Sequence, residues 1–301
     1  MQSAGSPTSV DSPWVSMAPA VFVLIWSTGF VVARFGMPHA PPMSFLAWRY
    51  VFSIILLCGW VRLSRVAWPQ GAAQWRHLLV AGMLLHGGYL GGVWAAVKLG
   101  LTAGAVALIV GLQPLLTAIW LSAQGGRGQI GRWQWLGLAL GFGGLVLVVG
   151  GKVGTPEISA TNLVLALGAL ASITVGTLYQ KHFVQAVDVR SANTVQLIGA
   201  LLLTAPLAFL ETEPVHWVPQ LLGAMAWSVL VLTIGGSSLL VWLIQRGAAT
   251  QVTSLMYLVP PCTAVLAWLL FDEALTALSL MGAALTVAGV ALVVRRSGAV
   301  K

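Results

Sequence analysis

Long apolar runs alternate with short polar interruptions along the whole chain, with no polar block of domain size. A membrane-spanning helix needs roughly 20 mostly apolar residues. Ten runs meet that need, at about 15–34, 43–62, 76–97, 100–122, 133–151, 160–180, 190–210, 219–245, 248–271 and 276–294. A lipid-facing barrel would instead alternate apolar and polar residues. The pattern therefore predicts an all-α integral membrane protein of ten transmembrane helices joined by short loops. Residues 1–14, built from Ser, Pro, Thr and Gly without apolar periodicity, read as a flexible tail.

Composition strengthens this picture. Of the 301 residues, 58% are hydrophobic and 7% charged, whereas a typical globular protein is about 25% charged. So few ionisable groups cannot cover a soluble surface of this size. Thirty-four glycines suit helices that pack closely in lipid, and fourteen tryptophans suit interfacial belts. Cys58 and Cys262 both sit in apolar runs, so the chain offers no disulfide framework and no zinc cluster. The net charge of +8 does not point to nucleic acid, because the basic residues are dispersed singly between apolar runs.

Their distribution does set an orientation. With the amino terminus inside, the internal loops hold Arg62, Arg65, Arg76, Arg127, Arg132, Lys181, Arg190, Arg246, Arg295, Arg296 and Lys301, eleven in all, against three outside, Arg34, Lys98 and Lys152. Short cytoplasmic loops are enriched in Lys and Arg, so both termini are expected in the cytoplasm.

An internal repeat runs through the chain at about 147 residues. Gly29 and Arg34 correspond to Gly176 and Lys181, and Gly87-Gly88 with Trp94 to Gly235-Gly236 with Trp242. Gly100 and Pro114 correspond to Gly247 and Pro261, and Gly137 and Gly144 to Gly282 and Gly289. The chain thus divides into a first five-helix repeat, 15–154, and a second, 155–301. Five is odd, so the second copy enters the bilayer from the opposite side. Two inverted repeats around a central cavity are a transporter architecture, with cargo near the midplane and rocking of the halves exposing it alternately. The competing reading is a duplicated bundle without transport.

Polar groups deep in a span are costly and mark candidate functional positions. Span one offers Trp26 and Ser27 near mid-membrane, where Trp26 is too deep for the interfacial belt. In span three His86 and Tyr89 share a helical face. Gln113 precedes Pro114 in span four, Tyr257 precedes Pro260-Pro261 in span nine, and Tyr179 and Ser237 add neutral hydrogen-bonding groups. Proline removes a backbone donor and interrupts the helix. Gly87, Gly88, Pro114, Gly235, Gly236, Pro260 and Pro261 are therefore the expected hinges. For each of these residues the competing role is helix packing. Arg49, six residues into span two and so roughly 9 Å deep, is read as a structural anchor that snorkels or pairs with a carbonyl.

Several runs resemble the EamA-type branch of the drug/metabolite transporter superfamily. They are LIWSTGFVVAR in span one, FLAWRYVF in span two and ALIVGLQPLLTAIW in span four, with LMYLVPPCTAVLAWLLFDEAL in span nine and MGAALTVAGVALVV in span ten. The likeness extends over essentially residues 15–295. The first half departs from it at Gly126 and Arg127, where an acid is expected. The resemblance implies ten helices in two inverted repeats, with spans three, four, eight and nine moving around a cavity, and export of small metabolites. Within that family the chain is most similar to bacterial exporters of aromatic and other neutral amino acids.

Absences narrow the mechanism. No phosphate-cradling Gly-rich loop with its Lys occurs, so no ATPase chemistry and no ATPase subunit is expected. No Asp or Glu lies deep in a span, which leaves a multidrug cation without a counter-ion. The reading is a facilitative carrier, not an enzyme and without cofactors, exporting neutral amino acids across the bacterial inner membrane. The alternative is a proton-coupled drug/metabolite exporter of broader specificity, with His86 as the titrating group.

Overall fold

A computed structural model describes residues 13–123, 132–150, 158–245 and 258–297. The first two helices, α1 (Pro13–Gly36) and α2 (Pro42–Leu63), are followed by α3 (Ala72–Gly82) and α4 (Tyr89–Lys98), joined through a π-helical segment, Met83–Gly88. Next come α5 (Ala103–Val110), α6 (Gln113–Ala123), α7 (Arg132–Gly150), α8 (Ala160–Phe183) and α9 (Val189–Ala208). Then α10 (Pro219–Ala226) and α11 (Ser237–Gln245) flank a second π segment, Trp227–Gly236, and α12 (Val259–Phe271) and α13 (Ala277–Ser297) complete the series. Among the described residues seven helical stretches are long and apolar enough to cross a membrane. Shorter apolar helices at Trp135–Val148, Val259–Phe271 and Ala277–Leu292 lie within the residue ranges expected for spans five, nine and ten. The chain is an all-helical, multi-pass membrane protein.

Local chemistry explains where helices start. Pro42 opens α2, where a missing backbone N–H costs nothing. Ser159 and Asn162 form a reciprocal capping box on α8, and Thr102 caps α5. At Asp272, the residue ending α12, φ is 54°, a left-handed conformation that Asp tolerates better than most side chains. The two π segments end on the glycine pairs Gly87-Gly88 and Gly235-Gly236. Widening a helix frees carbonyls from its ladder, and side chains take them up. Tyr50 Oη donates to the His86 carbonyl at 2.8 Å, Ser172 Oγ to that of Leu84 at 2.8 Å, and Thr233 Oγ1 to that of Ser228 at 3.0 Å.

Packing pairs the first half of the chain with the second. α2 lies against α9, α5 against α12, and α7 along α13. α1 packs on the second π segment and on α12; in the same way, α8 packs on the first π segment and on α6. Two of the crossings are so close that only glycine fits. A β-carbon on Gly82 would strike the Gln196 carbonyl and one on Gly199 the Leu79 carbonyl, and Gly144 and Gly282 block each other likewise. Large apolar side chains such as Ile55, Val146, Val164 and Leu230 point outward from the bundle, the surface a bilayer would cover.

Candidate functional site

The helices do not meet along the middle of the molecule. They leave a cavity of about 750 Å³ whose wall is drawn from both halves of the chain, within the ordinary range for a small-molecule site. From the first half, α1 contributes Trp26 and Phe30, and α2 contributes Arg49 and Tyr50. The first π segment and α4 add Leu85, His86, Tyr89, Leu90 and Trp94, and α6 adds Gln113. From the second half come Thr177, Gln180 and Lys181 on α8, Asn193 and Gln196 on α9, and Thr233 and Ser237 around the second π segment. The wall is mostly apolar and aromatic, with neutral hydrogen-bonding groups and two basic side chains, Arg49 and Lys181, between. Gln113 Nε2 donates to Thr177 Oγ1 at 2.9 Å, Asn193 Nδ2 to Ser237 Oγ at 3.2 Å, and Gln196 Nε2 to Gln180 Oε1 at 3.0 Å. Among the described residues no Asp or Glu lines it.

One end is closed. Phe45 and Trp94, both fully buried, stack with ring centroids 4.4 Å apart. Beyond them the 209–218 connector is tied to the start of α2. Glu211 accepts from Met43 N at 2.9 Å, Ser44 N at 2.8 Å and Ser44 Oγ at 2.8 Å. The residue preceding α2 is Pro41, which provides no side-chain cap. A carboxylate 168 residues away along the chain from Met43 therefore satisfies that helix end and meets the positive pole of its dipole. Lys98 Nζ donates to the Met37 carbonyl at 2.8 Å and pairs with Glu213 at 2.5 Å, and His216 N donates to the His39 carbonyl at 2.8 Å.

The opposite end reaches the surface along the connector between α8 and α9, where Lys181, Gln185 and Ala186 are exposed. Asp188 starts α9 there, accepting from Arg190 N at 2.9 Å and Arg190 Nη2 at 2.9 Å. Hydrogen bonding from Arg190 holds the Asp188 carboxyl below the usual carboxylate range. The tie is thus complete at neutral pH and is lost only as pH falls through that lowered range.

The cavity gathers most, not all, of the residues expected from the sequence. Trp26, His86, Tyr89, Gln113 and Ser237 line it. Ser27 does not. It is fully buried between α1 and α12, where its Oγ donates to the Val23 carbonyl at 2.8 Å and to that of Val259 at 3.4 Å. Tyr179 faces α3 instead, with its Oη 2.8 Å from His77 Nδ1 and its ring against Phe183. Tyr257 lies outside the described residues. Of the expected hinges, the glycine pairs close the π segments, Pro114 follows the Gly111-Leu112 break between α5 and α6, and Pro260 and Pro261 open α12.

Arg49 departs from expectation. It does not snorkel to an interface, and among the described residues it pairs with no carbonyl. It is 8% exposed, lines the cavity, and makes one long hydrogen bond, from Nη2 to Thr233 Oγ1 at 3.4 Å. Its Nε has no partner. Tyr50, Gln180 and Gln196 were also missed. Tyr50 sits beside Arg49 in an apolar run, and the glutamines fall near the ends of spans, where polarity excites no suspicion.

Comparison with known proteins agrees with this architecture. The chain is 27% identical to the uncharacterized transporter YvbV of Bacillus subtilis, over 94% of its own length and 92% of the relative's. It is 26% identical to a probable amino-acid metabolite efflux pump of Salmonella typhimurium, over 89% of this chain and 90% of that protein. A crystal structure of a protein 17% identical in sequence superimposes with a TM-score of 0.63, covering 92% of this chain and 96% of the other, a likeness of fold alone. The model of the EamA-like transporter family matches twice, at residues 13–150 and 161–295. Spanning helices from both matched stretches thus enclose one solute-sized cavity, and the chain belongs to the EamA-like transporter family.

Proposed function

We propose that the protein is a secondary carrier of the bacterial inner membrane that exports small neutral metabolites, foremost amino acids including aromatic ones, by alternating access. The observation that carries this reading is the cavity itself. It is walled by both halves, sealed at one end by Phe45, Trp94 and the Glu211 tie, and reaches the surface at the other. Two further facts support two inverted five-helix repeats, 15–154 and 155–301. The family's model matches twice, and the packing partners of α1 and α8 correspond under exchange of the halves. With both termini cytoplasmic, the connector between α8 and α9 faces inward, so the cavity is loaded from the cytoplasm. The name of the Salmonella relative favours amino-acid cargo. An apolar wall with mostly neutral donors and acceptors suits it, and among the described residues no cavity carboxylate stands ready to relay a proton.

The test is counterflow in vesicles containing the purified protein, with a panel of labelled amino acids, with and without a pH gradient. Exchange of aromatic and other neutral amino acids, unchanged by the gradient, is expected. Movement of a lipophilic cation that depends on the gradient, with no amino-acid exchange, would replace this reading by the proton-coupled one, in which His86 titrates.

A further inference from the structure

The cavity wall holds a charge that no acid among the described residues balances. Arg49 is more than nine-tenths buried, yet its only hydrogen bond among the described residues is the long one to Thr233 Oγ1. That hydroxyl already donates to the Ser228 carbonyl, so toward Arg49 it acts as a neutral acceptor. A guanidinium carries five N–H donors in a rigid fork matched to a carboxylate. Of these, Nε is unpartnered, and among the described residues no Asp or Glu lines the cavity. Glu211, the acid tied to the same helix, is spent on the backbone N–H groups of Met43 and Ser44 at its start. A buried cation in this state is costly unless an anion joins it.

Its surroundings show what kind of anion fits. Trp26, Phe30, Leu90 and Trp94 line the same space and offer an apolar surface to a hydrophobic body. Lys181, the other cavity-lining cation, stands where the cavity reaches the surface, so both fixed charges have the same sign. For an ammonium group the described wall provides only neutral acceptors, among them Gln113 and Asn193.

We infer that Arg49 is the cargo-binding anion site of this cavity, and that the carrier selects solutes by a carboxylate on an apolar or aromatic body, with the α-amine dispensable. The inference rests on the cavity being the cargo site. It goes further in making hydroxy, keto or unsubstituted acids equal in class to amino acids.

Equilibrium binding to purified wild-type protein in lipid nanodiscs tests it, with three probes of one skeleton: 3-phenylpropionate, phenylalanine and phenethylamine. The wild type is expected to bind the two carboxylates within a few-fold of each other and the amine at least about tenfold more weakly. Loss of a charge-assisted pair corresponds to roughly 10- to 100-fold in affinity. Arg49→Gln is therefore expected to lose about that factor for both carboxylates and nothing for phenethylamine, with Arg49→Lys recovering part of it. Equal wild-type binding of phenethylamine, no binding of either carboxylate, or an unchanged carboxylate preference in Arg49→Gln would overturn the assignment. If Arg49→Gln does not fold, the wild-type probe series decides by itself. Failure of counterflow with this binding pattern intact would sink the transport reading and leave the anion site standing.

Discussion

Trp26 and His86 reach one cavity from different helices, and each offers what the other lacks: a broad apolar face and a hydrogen-bonding ring. If both contact cargo, replacing either by Ala removes contacts with the solute while leaving the close glycine crossings at Gly82–Gly199 and Gly144–Gly282 in place, although Trp26 also packs on Phe22 beside α11. Trp26→Ala and His86→Ala are each expected to lower counterflow by about tenfold, or ~1.4 kcal/mol of interaction, with elution as a folded protein retained. Wild-type exchange in both would remove them from the site. Single residues also show how far sequence reasoning reaches. A polar side chain deep in an apolar run announces itself, and five of the eight binding residues proposed on that ground do line the cavity. The same signal misleads at Ser27 and Tyr179, because a hydroxyl bridging two helices and a hydroxyl facing a solute look alike in one dimension. Arg49 was visible as a charge in a span. What is not legible is that, among the described residues, the Thr233 hydroxyl and no acid would fold against it.

Among the elements, the π segments matter most. The glycine pairs that end them were legible as repeated positions, but the widened helix was not, since it depends on hydroxyls of Tyr50 and Ser172 arriving from other helices. Glu211 is similar: a loop acid by sequence, yet the cap of α2 by folding. Glycines of one chain therefore differ in kind. Gly235 and Gly236 have room for a β-carbon, with the nearest foreign atoms 3.4 and 3.7 Å away, while Gly82 presses against the Gln196 backbone. If the pairs act as hinges, Gly235→Ala with Gly236→Ala preserves folding and slows exchange. Gly82→Ala, which forces α3 from α9, is expected to destabilise the protein by about 1–3 kcal/mol, read as a lowered thermal midpoint in detergent. A Gly82→Ala protein as stable as wild type would contradict the packing described.

On the scale of the whole molecule, apolar spans were readable because the bilayer demands long apolar runs, and the proposed repeat rests on spacings that a duplication preserves. Among the described residues seven stretches reach spanning length, and three shorter apolar helices fall within the residue ranges expected for spans five, nine and ten. What the linear pattern does not contain is the asymmetry of the cavity. Its sealing depends on the 209–218 connector meeting the start of α2 and Lys98, contacts between halves that are distant in the chain. At the opposite end Gln74 of α3 exchanges hydrogen bonds with the Gln185 backbone, at 3.1 and 3.2 Å, yet Lys181 and Ala186 stay exposed beside the cavity and border an opening.

The central claim is that two halves cross the bilayer in opposite senses around that opening. Pro38 and Ala186 lie in the corresponding connectors, α1–α2 and α8–α9, and both are exposed. With Cys58 and Cys262 replaced by Ala, a cysteine is introduced at either site and intact cells are treated with a membrane-impermeant thiol reagent. The account predicts that Pro38→Cys is labelled from outside and Ala186→Cys only after the cells are opened; labelling of both from the same face would contradict it.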